Sequence, residues 1–127
     1  MENFHDFEIY KYEVNCEIRE ITLYLREHHG EKTGVVIFKS IFGHQFQHTL
    51  EGNIVLAFEE YEADLFYKEF SNDIEIYQKY GLSVTSKNLE EFIDESENKK
   101  LKLIVISSSY GMSGWIICGE VTIINNK

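Results

Sequence analysis

Proline is absent from this chain, cysteine occurs twice and tryptophan once in 127 residues. Without proline no prolyl isomerisation can slow folding, and the loops lack their usual stiffener. Cys16 and Cys118 form neither a CxxC pair nor a metal-type spacing, which excludes the common zinc and dithiol motifs. Both read as free thiols in a reducing compartment. Long apolar runs are missing as well. The longest, Val35–Phe38 and Leu103–Ile106, fall far short of the roughly 20 residues that cross a bilayer, so no membrane association is expected. Met1 is followed by Glu2, Asp6 and Glu8 in place of a basic and then apolar leader, and the expected location is the cytoplasm.

Bases are scarce, and scarcest in one place. Of a net charge of −10, residues 59–98 carry twelve acids against three bases, while the last 29 residues carry one acid against four bases. Such a field attracts cationic partners and repels nucleic acid, so nucleic acid is excluded as a partner. What remains is ample for folding: 43% hydrophobic and 14% aromatic residues suit a single domain over residues 1–127 with a core that needs no staples.

The pattern predicts an α+β fold: a mainly antiparallel sheet of about six strands, four N-terminal and two C-terminal, with one or two helices between residues 61 and 97. Phe4–Val14 and Glu20–Glu27 are rich in aromatic and β-branched residues. Ile21, Leu23 and Leu25 alternate with Thr22, Tyr24 and Arg26, whereas the first strand slips parity after Ile9, as a bulge would make it do. Val35–Phe38 and Ile54–Phe58 are apolar on both faces, like interior strands. Tyr61, Leu65, Phe66, Phe70, Ile74 and Tyr77 recur at helical spacing and Gly81 follows as a C-terminal cap. Ser71-Asn72-Asp73 could divide this helix. A second helix fits Leu89–Glu97, with Asn88 as N-cap and Glu91 at the capping-box position. Leu101–Ser107 and Trp115–Ile124 then read as a hairpin with a seven-residue loop, 108–114.

Four constellations invite a chemical reading. Carboxylates on solvated helix faces lack the buried partner that acid–base work needs, so no catalytic residue is assigned. His44 and His48 lie in a strand-like context, where four residues separate them by about 13 Å, too far for one metal; no metal or other cofactor is expected. The Ser107–Gly114 segment lacks the spacing of a nucleophile elbow and the helix of a phosphate cradle. Its glycines and hydroxyls suit a turn, and Tyr110, Met112 and Trp115 suit recognition. His5 and Asp6 are adjacent, and in a strand they would point to opposite faces, so Asp6 is expected to bond a turn.

Phe4-His5-Asp6-x-x-Ile9 and the later Gly52-Asn53-Ile54-Val55 resemble small bacterial proteins of mostly unknown function that open with this signature. Some of these look like immunity proteins of polymorphic toxin systems. The resemblance covers roughly the first 60 residues. It implies a non-enzymatic inhibitor that occludes a toxin's active site, and it assigns no binding residue.

The favoured expectation is a non-enzymatic binding protein for a basic protein partner. Glu60, Asp64, Glu90, Glu91, Asp94 and Glu95 would steer the partner, and Tyr61, Tyr110 and Trp115 would anchor it. Two alternatives stand beside it: a small-molecule-binding domain or enzyme with an aromatic-lined pocket near Ser107–Gly114, and a structural or oligomer-forming protein.

Overall fold

A computed structural model describes the backbone of residues 4–27, 29–47 and 53–126, and the side chains of all of these except 53, 54, 56, 109, 110 and 126. These residues form eight strands and two helices: β1 Phe7–Asn15, β2 Glu20–Glu27, β3 Thr33–Lys39, β4 Gly43–Gln47, β5 Asn53–Tyr61, α1 Ala63–Gln78, α2 Leu89–Asn98, β6 Lys102–Tyr110, β7 Ser113–Cys118 and β8 Glu120–Asn126. Every pairing is antiparallel, in the order β4-β7-β6-β5-β1-β2-β3-β8. The expected α+β class therefore holds, with two more strands than six.

The surplus comes from corners. β3 runs into β4 past Ser40, whose φ is 55°, and β7 runs into β8 through Gly119. The pairing Thr33↔Asn126 to Lys39↔Glu120 resumes as Gly43↔Ile117 to Gln47↔Ser113, three residues facing two across the bend. At the corner the Gly119 amide donates to the carbonyls of Lys39 and Ser40. Two long bent strands thus form one ribbon, and the two ends of the sheet meet in it. The sheet curls round until it nearly closes.

Alternation then sorts side chains between inside and outside. Ile9, Ile21, Leu23, Leu25, Val36, Phe38, Phe58, Ile104, Ile106, Ile116 and Cys118 fill the interior, with Phe4 at one end. Leu103, Val105, Trp115 and Ile117 point the other way, and both helices pack onto them through Phe66, Ile74 and Phe92. β6 and β7 are apolar on both faces because both are covered.

Local signals explain most boundaries. The parity slip in β1 is a register shift between Ile9 and Lys11 against β2. Asn88 Oδ1 accepts from the Glu91 amide at 2.9 Å, as an N-cap should. Gly81, with a φ of 93°, follows the end of α1.

Four expectations need correction. The first strand starts at Phe7, since Phe4 leaves the chain path to plug the interior, 1% exposed. α1 is not divided at Ser71–Asp73, because Asp73 serves a tertiary contact: its carboxylate accepts from Trp115 Nε1 at 3.4 Å. Leu65 leaves the apolar stripe and is 46% exposed, the helix having turned Phe66 inward. The seven-residue loop shrinks to a tight turn, since Ser107 and Ser108 stay in the ladder with β5 and β6 runs on to Tyr110.

Candidate functional site

Two surfaces compete: the solvent side of the helical layer and a cleft at the ribbon corner.

On the helical layer, Glu62, Asp64, Glu69, Glu75, Glu90, Glu91, Asp94 and Glu97 are all exposed. Among the described residues none of these eight meets a cation within ion-pair distance. Helix stability explains only part of this. Asp64, Glu90 and Glu91 lie in first turns, where negative charge opposes the helix dipole favourably, but Glu75 and Glu97 occupy last turns, where it does not, and neither last turn holds a base.

The residues expected to form one interface are not all there. Glu60 lies on β5 and not in a helix, so it makes no helical pair with Asp64. It stands opposite Ile104, on the sheet face turned away from the helices, and pairs with Lys102 at 3.8 Å. Glu95 is turned inward, its carboxylate accepting from the Thr85 and Ser86 amides, from the Ser86 hydroxyl and from Lys99. Burial pushes its pKa up, but those hydrogen bonds outweigh burial and hold it below the ordinary 4.5. Glu95 therefore clamps the connection between the helices. Tyr61 is half-buried against the helical core. Desolvation, helped by Glu69 and Glu59, raises its hydroxyl pKa. Trp115 is 1% exposed and cannot anchor a partner directly. The side chain of Tyr110 lies outside the described residues. Asp64, Glu90, Glu91 and Asp94 remain on the exposed layer, and α1 adds Leu65, expected in the buried stripe, and Ile76, which the sequence pattern did not single out, 46% and 50% exposed.

The cleft lies between the β1–β2 hairpin tip, the corner at 41–44 and the segment 77–83, and encloses about 650 Å³. Gly43 lets the segment after α1 approach β4, since a Cβ there would sit 2.1 Å from Leu82 Cδ1. Trp115 is part of the lining, edge-on to Tyr77 at 6.2 Å, and the Tyr77 hydroxyl accepts from Gln45 at 3.1 Å. Arg19 is fixed twice over. Its Nε and Nη2 donate to the Ile41 carbonyl at 2.9 and 2.6 Å, and its own carbonyl accepts from the Ile41 amide at 3.1 Å. Burial lowers the pKa of His44 on β4 below the ordinary 6.5, so the ring is neutral at neutral pH. Sequence reasoning sought an aromatic pocket beside Ser107–Gly114; only Trp115, next to that stretch, belongs to this one. The missed residues, Arg19, Tyr77 and Leu82, carry no motif and meet only through the fold.

The other sequence candidates resolve simply. His5 and Asp6 contact each other at 3.1 Å in an exposed turn. His48 lies outside the described residues, and among those described no three His, Cys, Asp or Glu side chains group to hold a metal. Both cysteines are free; burial pushes the Cys118 thiol up to about 12. Among the described residues no helix is long and apolar enough to cross a membrane. Set against known proteins, the chain matches no family model, no curated protein and no solved structure.

Proposed function

We propose that the chain is a non-enzymatic binding protein whose exposed helical layer receives a cationic protein. The observation that carries this reading is the row of eight exposed acids without a cation partner among the described residues, two of them in helix last turns where stability disfavours them. Charge kept at such positions raises the association rate of a basic partner and makes it salt-dependent. Leu65 and Ile76 supply apolar contact between the acids. An immunity-type inhibitor of a basic bacterial toxin is the specific form that the Phe4-His5-Asp6 resemblance implies.

The test begins with capture of a basic partner at low ionic strength, followed by measured association rates. Reversing Glu90, Glu91 and Asp94 to Lys should slow association about tenfold or more and flatten its salt dependence. An unchanged rate places the interface elsewhere. Glu95 is left out of this variant because it holds the interhelical connection.

A further inference from the structure

The geometry points to a second, independent site: the cleft at the ribbon corner binds a small amphipathic carboxylate, with its apolar body against Tyr77 and Leu82 and its carboxylate on Arg19. A volume of about 650 Å³ suits a ligand of drug-like size. The chain has two arginines. Arg26 is neutralised by Glu8 at 2.7 Å, whereas Arg19 has no carboxylate partner among the described residues, although acids outnumber bases 22 to 12.

Arg19 is also pre-organised. Of five guanidinium donors, two are spent on Ile41, and the group stacks over Phe42 at 5.5 Å. The remaining donors are held in place at the cleft, and a rigid guanidinium suits a carboxylate better than a point charge. Glu20, the only acid in the lining, stands directly across the ladder from Lys39. His44, also in the lining, is neutral and adds no second charge there.

Trp115 is the only tryptophan and belongs to the cleft, so its emission reports occupancy. Excited at 295 nm, a wavelength that selects tryptophan, the protein is titrated with 4-phenylbutyrate, the neutral 4-phenylbutyramide and the cationic 4-phenylbutylammonium. The carboxylate should saturate with one-to-one stoichiometry, at least about tenfold tighter than either other probe, consistent with a charge-assisted hydrogen bond. In R19Q its affinity should fall to that of the amide while amide binding stays unchanged. Absence of saturation, a carboxylate no tighter than the other two, or an R19Q variant that keeps the preference each overturns the proposal. Should R19Q not fold, the ranking of the three probes on the unaltered chain still decides.

Discussion

β7 and β3 line the same interior, and both are apolar on both faces, yet only one is covered twice. Outward from β7, Trp115 and Ile117 are buried beneath α1 and α2. Outward from β3, Val35 and Ile37 carry no helix among the described residues and stay half-buried, flanked across the ladder by Tyr24, Thr22, Thr122 and Ile124. An unbroken apolar run therefore does not reveal a second layer. β-branched side chains that shield one another laterally produce the same pattern at an open face.

The sharpest way to separate the two halves is to remove one side chain from beneath the helices and one from the interior. Trp115→Ala should cost about 3–5 kcal/mol, because it leaves a cavity under both helices and frees Asp73; urea titration followed at 222 nm checks it. Leu23→Ala, which empties the interior without touching the helices, should cost about 2–5 kcal/mol and give coincident fluorescence and circular-dichroism transitions. If Trp115→Ala costs no more than an exposed substitution, the helical layer is not held by β7.

Acid should then distinguish the clamp from the bare face. Glu95 titrates below 4.5 in the folded protein, so its stabilising effect is complete above that value and is lost as pH falls through the lower folded pKa. Glu95→Gln should remove about 1–3 kcal/mol at pH 7 and flatten that acid limb in urea midpoints measured from pH 7 to 3. His44 acts earlier. Its folded pKa is depressed, so the unfolded chain takes up the proton first and stability begins to fall as pH drops through 6.5. His44→Gln should erase that first, shallow decline. The smallest effect is expected on the uncovered face, where Ile124, 44% exposed, should tolerate Thr within about 0.5 kcal/mol.

Legibility followed locality. The β1 bulge, the Asn88 cap and the clean alternation of β2 are written in neighbouring residues, and each was readable there. The corners were not, since Ser40 and Gly119 mark bends only once the two strands are paired. The same limit hid the fates of the acids. Glu95 and Asp94 are sequence neighbours of one type, and only the loop at 85–86 turns one into a structural clamp while the other faces solvent. Arg19 likewise gained its meaning from Ile41, 22 residues away.

The bent ribbon also sets the order of assembly. It joins residues 33–47 to residues 113–126, so β1, β2 and β3 can form their hairpins early, but the curled sheet cannot close until the last strands have been made. Contacts of such long sequence separation slow folding and leave unpaired strand edges exposed meanwhile. During synthesis, the stretch from β5 through α2 must wait with its apolar face uncovered. In that interval the excess of acids in residues 59–98 gives unfinished chains a like charge, and like charge disfavours their association.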